Sequence, residues 1–302
     1  LLKEAKKEVS VNDNTQSIIH IFNHNYIVDG KTFLEEPINV YADFLSHEMT
    51  FVSMPKNNLK NINQAFIDCD IEIERIISST YALAAQLLND NEFQSGSILM
   101  NIGFEKIGLG LFKNLALVHS ITIPIGANHI VKDIAKVCSL SSEETKVIIN
   151  KIDFSFKNNN TLFDKDDYLK NIYFDNSTFR KISKDLIINI IKARLNEILE
   201  IIKKQINTTK LSPSLGINLF ISEIGFTFYN LESYCSNFFN LNVKNLNANK
   251  KHDKEDINNK FESCLGAVKI IKDGWETEAI PEVVNKNIQK ISFFGRIFGN
   301  RL

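Results

Sequence analysis

Apolar positions along this chain recur with two different periods, and the period assigns the elements. Ile18 to Phe22, Tyr26 to Val28 and Phe44 to Val52 are β-favouring runs, with the turn signal Asp29-Gly30 between the last two. Leu59, Ile62, Ala65, Phe66 and Cys69 then fall at helical spacing, and Ile71 to Ile77 alternates as a strand does. Tyr81 to Leu88 is a short helix that Asn89, Asp90 and Asn91 break. Three strands follow at Ser97 to Gly103, Ile107 to Phe112 and Ala116 to Ile123, with a tight turn at Asn114. Pro124 and Gly126 lead into a helix near His129 to Cys138, and the N-cap residue Ser141 opens another.

The second half is read in the same way. Residues 153–180 are polar, Asn/Asp-rich and weakly patterned, which predicts a loop-rich subdomain edge. Ser183 to Ile206 is a long helix with Leu186, Ile190, Ile191, Leu195, Ile198 and Ile202 as its apolar stripe. Ile217 to Ser222 has the pattern of a buried strand, and Leu231 to Phe239 that of a helix. An Asn/Lys-rich surface loop from Lys244 to Lys254 precedes a last body helix, Ile257 to Ile271, with small residues at Gly266 and Ala267. Asp273 to Asn285 reads as a linker, and no short-period repeat is present. Strands and helices interleave throughout, so the fold class is α/β.

The last residues carry a pattern of their own. At about 100° per residue, Val284, Ile288, Ile291, Phe294, Phe298 and Leu302 gather on one side. Lys286, Gln289, Lys290, Arg296, Asn300 and Arg301 fall opposite or on the flanks, while Phe293 and Ile297 widen the apolar sector. Such a helix lies in the plane of a membrane surface. Ile288, Lys290, Ile291, Phe293, Phe294, Arg296, Ile297, Phe298 and Arg301 are its candidate lipid contacts. The alternative is a helix that packs on the protein's own body. Gly295 and Gly299 each cost about 1 kcal/mol relative to Ala, which fits a helix formed only at the interface.

Composition narrows the function classes. With 44% hydrophobic and 24% charged residues in 302, the chain is an ordinary packed protein, and its net charge of -1 gives no reason to expect nucleic acid. The charge is uneven, since residues 286–302 hold four basic residues and no acid. Cys69, Cys138, Cys235 and Cys264 are too scattered for a disulfide scaffold or a zinc site, so reduced thiols are expected. No apolar run reaches the roughly 18 residues of a spanning helix, and no signal peptide opens the chain. The first residues, without an initiator Met, read as the end of a helix already under way and hence as a fragment. His20 and His24 lack a third ligand for a metal site. Asp164 to Asp167 lacks the ordered spacing of a calcium loop. Trp275 sits in the linker, and no catalytic triad follows from linear order.

The order of these elements resembles the FtsA family, actin-like bacterial cell-division proteins that tether FtsZ to the membrane. His20 to Pro37 is similar to a stretch of His, Tyr, Val-Asp-Gly and Pro in the family's inserted SHS2 subdomain, and Asn61 to Ser79 follows its helix and strand. Asn101-Ile102-Gly103 stands where the family has its second phosphate turn. Ile123 to Ile130 with Asp133-Ile134-Ala135, the helix Ile182 to Ile202 and the terminal amphipathic stretch complete the resemblance.

The resemblance implies an actin-like (ribonuclease H-like) second lobe, plus a partial first lobe with an SHS2 inserted subdomain. The implied division is 1–54 for the SHS2 remainder and 55–95 for the end of the first lobe. The second-lobe core takes 96–150 and 208–272, its subdomain 151–207, and the linker and tail 273–302. The implied partners are FtsZ, further copies of the chain, an anionic membrane surface and later division proteins. The implied place is the cytoplasmic face of the bacterial membrane at the septum. The implied FtsZ contacts are Arg194 and Glu197, which match an Arg-x-x-Glu pattern; the plainer reading of this pair is a solvated helix face.

The implied cofactor is ATP with Mg²⁺, and the residues carried over for it are Asn101, Gly103, Lys106, Gly126, Glu143, Lys146 and Ser222. Several family positions are altered. Asn101 replaces a metal-holding Asp and cannot offset a divalent charge, Phe104-Glu105 replaces glycines, and Ser222-Glu223-Ile224 replaces Thr-Gly-Gly. The plainer readings are a simple hairpin turn for 101–106 and a surface ion pair for Glu143 and Lys146. The resulting expectation is a membrane adaptor with weak or absent nucleotide binding and no hydrolysis. The rivals are an actin-like ATPase whose nucleotide state controls polymerisation, and another actin-like scaffold such as a pilus-assembly protein.

Overall fold

A computed structural model describes residues 4–5, 7–9, 13–33, 36–156, 161–208, 217–223, 228–246 and 261–273, with His24 lacking a described side chain. The linker and tail from 274 on, Trp275, Ile224 and the side chain of His24 lie outside the described residues. The chain divides into two compact units, one from the described parts of 1–20 and 51–76, the other from 21–50 and 77–278.

Strands β1 (Gln16–Val28), β2 (Lys31–Phe33) and β3 (Leu45–Pro55) form a sheet of order β2-β1-β3. The two N-terminal runs of the sequence are thus one continuous strand. Asp29 (φ 46°) and Gly30 (φ 79°) fold it back into β2, as a two-residue hairpin turn requires.

In the first unit, helix α1 (Lys56–Ile67) starts after Pro55, whose fixed φ suits the entry to a helix. The Lys56 amide donates to the Thr15 carbonyl at 2.9 Å, and Leu59 is the buried side chain of the helix. Asp70 (φ 58°) ends it, with the Ile71 amide donating back to the Phe66 carbonyl. The expected strand at 71–77 is not formed. Alternation suits a strand but does not supply a neighbour to pair with, and 71–78 joins no ladder. His20 is fully buried, and burial pushes its pKa down to about 4, so it is a neutral core histidine.

The second unit is built on a five-stranded sheet of order β6-β5-β4-β7-β8. β4 (Ser97–Ile102), β5 (Ile107–Lys113) and β6 (Ala116–Ile123) are an antiparallel meander. β7 (Asn218–Glu223) pairs parallel with β4, and β8 (Asn242–Asn245) pairs parallel with β7. β8 corrects the expected loop from Lys244. Its short, polar sequence carries no strand signal, and the pairing with β7 decides it.

Alternation sorts the two faces of this sheet. Ile98, Met100, Ile102, Ile107, Leu109, Leu219 and Ile221 point into the main core, where they meet α4 (Ala127–Cys138), α5 (Ser142–Ile149), α6 (Lys184–Thr208) and α7 (Leu231–Phe239). Against the other face, α2 (Ser79–Leu87) comes so close that a Cβ on Gly110 would lie 2.7 Å from Thr80 Cγ2. Between α2 and β4, Asn89 does not simply break the chain. It forms a reciprocal capping box with Glu92 and starts α3 (Asp90–Ser95). Helix α8 (Glu262–Asp273) packs on α2, where a Cβ on Gly266 would fall 1.8 Å from the Ala82 carbonyl oxygen.

Two further readings are corrected. Leu186 is 40% exposed, and α6 instead buries Ile187, Ile188, Ile191, Leu195, Ile198, Leu199, Ile202 and Ile206. The polar stretch 153–180 hides apolar anchors at Phe154, Leu162, Phe163, Leu169 and Tyr173, all inside the core. Among the described residues no helix is long and apolar enough to cross a membrane, and no group of His, Cys, Asp and Glu is placed to hold a metal.

Candidate functional site

The turn between β4 and β5 is the densest meeting point of the candidate residues. Gly103 donates its amide to the Lys106 carbonyl at 2.9 Å, closing the turn on itself. The carbonyls of Gly103 and Phe104 accept from the amides of Ala127 and Asn128, at 3.0 and 2.8 Å. The first turn of α4 is therefore capped by the β4–β5 turn. Gly126 makes this docking sterically feasible, because a Cβ there would lie 2.5 Å from the Phe104 oxygen and 2.6 Å from the Lys106 nitrogen. The Gly126 amide donates to His129 Nδ1 at 3.1 Å, and Asn128 Nδ2 donates to Glu105 Oε1 at 2.6 Å. Glu105 thus lies at the α4 N-terminus, where a negative charge is favoured by the helix dipole.

Phe104 is 38% exposed, and its ring lies under the Lys146 ammonium, 5.5 Å from the nitrogen. Lys146 pairs with this ring and not with Glu143, so the expected ion pair is not formed. Glu143 is exposed on the first turn of α5, while its neighbour Glu144 is buried. Glu144 accepts from the Ser177 hydroxyl and from the amides of Ser141, Asn176 and Ser177. Burial alone would raise its pKa, but these donors outweigh it and hold the carboxyl at about 2.

Across the β4–β7 ladder Asn101 stands in register with Ser222, and Ile102 with Glu223. Asn101 Oδ1 and Ser222 Oγ are both buried and without a hydrogen-bond partner. Two neutral oxygens suit a water better than a divalent cation, whose charge neither can offset. Glu223 is turned elsewhere. Its Oε2 accepts from the Phe228 amide at 3.1 Å and its Oε1 from Asn245 Nδ2 at 3.0 Å. Burial first, and Glu232 in addition, push its pKa up to about 7 against these two bonds.

The structure therefore gathers Asn101, Gly103, Lys106 and Gly126 around one turn, with Lys146 beside it and Ser222 on the adjoining strand. Arg194 lies apart from this edge, on α6. Its guanidinium donates to both carboxylate oxygens of Asp133 on α4, at 2.6 and 3.1 Å, and to Glu197 at 2.6 Å. Sequence reasoning missed Glu144, Glu223 and Asp133 in these roles. For Glu144 a signal exists in the Ser141-x-x-Glu144 capping box. For Asp133 there is none, because its partner Arg194 is distant in sequence. The nine candidate lipid contacts, Ile288 to Arg301, lie outside the described residues.

No protein-family model matches the chain. The chain is similar to the cell division protein FtsA of Agrobacterium fabrum, with 24% identity over 204 residues, 67% of this chain and 45% of that protein. FtsA of Bacillus subtilis is 26% identical over 213 residues, 70% of this chain and 48% of that one. In structure the chain is similar to the PilM–PilN type IV pilus biogenesis complex, with a TM-score of 0.59 at 12% identity, covering 89% of this chain and 72% of that one. It is also similar to MreB 5 of Spiroplasma citri bound to AMPPNP, with a TM-score of 0.52 at 19% identity, covering 72% and 65%. The chain is FtsA-like, with an actin-type fold. It spans about half the length of the FtsA proteins it matches. Within this FtsA-like body, the β4–β5 turn and the end of β7 are the edge that the resemblance assigns to nucleotide.

Proposed function

We propose that this FtsA-like chain is a membrane adaptor of bacterial cell division. It tethers FtsZ filaments to the cytoplasmic face of the membrane at the septum, associates with further copies of itself, and recruits later division proteins. The observation that carries this reading is the match to FtsA proteins over about two thirds of the chain, combined with an actin-type body. The amphipathic pattern of 284–302 supplies the anchor. Each basic residue near an anionic leaflet contributes about 1 kcal/mol. Each apolar side chain adds a part of the roughly 1.5–3 kcal/mol that full burial is worth. Helix ordering offsets much of this, so one tail binds reversibly and several on one filament bind firmly. Arg194 and Glu197, with the latter half exposed on the outer side of α6, are the polar pair offered to the C-terminal peptide of FtsZ.

Flotation of the full chain with vesicles, beside a chain ending at Gly274, tests the anchor. The full chain is expected in the lipid fraction and the shortened chain at the bottom. Equal flotation removes the anchor, and with it the adaptor role. The AMPPNP carried by the MreB 5 neighbour favours a second reading, an ATPase whose nucleotide state controls polymerisation. ATP binding with turnover would support it.

A further inference from the structure

We infer that this lobe obstructs its own nucleotide-facing turn with the side chains of Phe104 and Glu105, and so holds one conformation independent of ATP. The inference rests on the FtsA-like reading for what that turn faces, and on the described geometry for what occupies it.

A phosphate site needs free amide donors, a favourable dipole and a free cation. Several of these are already engaged. The Gly103 amide donates to the Lys106 carbonyl, and the Ala127 and Asn128 amides donate to the carbonyls of the same turn. The anion at the start of α4 is the Glu105 carboxylate, held by Asn128 Nδ2 at 2.6 Å. A phosphate placed there would meet this negative charge at close range. Of the cations near the turn, Lys146 lies over the Phe104 ring, and Lys106 is exposed on the turn itself. Phe104 takes up Lys146 and Glu105 takes up the start of α4, so these two adjacent side chains meet different requirements of a nucleotide. Asn101 and Ser222, the candidates on the strands, are neutral and cannot offset the charge of a divalent cation.

The test is equilibrium dialysis of the full chain against labelled ATP with Mg²⁺, beside a variant carrying Phe104→Gly and Glu105→Gly. The wild type is expected to retain no label at about millimolar ATP, and the variant to gain at least tenfold in retained label. Micromolar binding by the wild type would overturn the inference. A folded variant as blind to ATP as the wild type would overturn the assignment to these two side chains. Should the variant fail to fold, amide exchange of the wild type with and without Mg²⁺–ATP decides. Unchanged protection at 103–106 and 127–128 supports the inference, and new protection there sinks it. Vesicle flotation is independent of all these outcomes, so the adaptor reading stands or falls separately.

Discussion

Glu144 and Glu223 are the same residue type at nearly the same burial, 4% and 7% exposed, yet their carboxyls shift in opposite directions. Hydrogen-bond donors outweigh burial at Glu144, and burial outweighs them at Glu223. Glu144 has a hydroxyl and three amides aimed at it, and its pKa stays near 2 in spite of burial. Glu223 has one amide and one side-chain amide, with Glu232 nearby, and burial drives it to about 7. The consequence for stability follows from linkage. With a folded pKa above the unfolded value of 4.5, the Glu223 contribution is fully present below 4.5 and is lost as pH rises through 7. Over that range the loss amounts to about 3 kcal/mol. Glu223→Gln cannot ionise, and its carbonyl retains an acceptor for Phe228. Urea unfolding at about pH 5 and about pH 8.5 should show the variant gaining about 2–3 kcal/mol over the wild type between them. A difference that does not change with pH would mean that Glu223 is ionised and paired at both.

Elements in this molecule were legible where apolar spacing was strong and local. The β4–β5–β6 meander, α4 and α6 all stand close to where their periods place them. Residues 71–78 and β8 did not, because a strand exists only by pairing, and the partner is set by the topology. Glycines carry the element-scale contacts. Gly266 brings α8 against α2 at a distance that excludes even a methyl group. Glycine to alanine in a helix interior ordinarily gains about 1 kcal/mol, so a net loss isolates the collision. Gly266→Ala is expected to cost about 3 kcal/mol in chemical denaturation, at the upper end for overpacking. An unchanged midpoint would show that the two helices part without penalty. Of the candidate nucleotide-facing residues, the sequence named those on the turn. It did not foresee that Phe104 would stack on Lys146 or that Glu105 would serve as the anion of α4.

For the molecule as a whole, the proposed anchor is a tail with four basic residues in a chain whose overall net charge is -1. At about 1 kcal/mol each, these residues distinguish an anionic from a neutral surface by up to roughly a thousandfold. Flotation should therefore be strong on vesicles rich in phosphatidylglycerol and weak on phosphatidylcholine, and added salt should reduce it. Indifference to headgroup charge would leave the apolar side alone responsible. The amino-acid order alone determined the α/β class, most element positions, the resemblance to FtsA and the amphipathic tail, since each depends on spacing within a short window. Tertiary structure alone decided which strands pair, that Arg194 joins α6 to Asp133 on α4, and that Glu105 sits at the start of α4. Those outcomes depend on residues brought together from distant parts of the chain, and on the donors, charges and space that each side chain finds there.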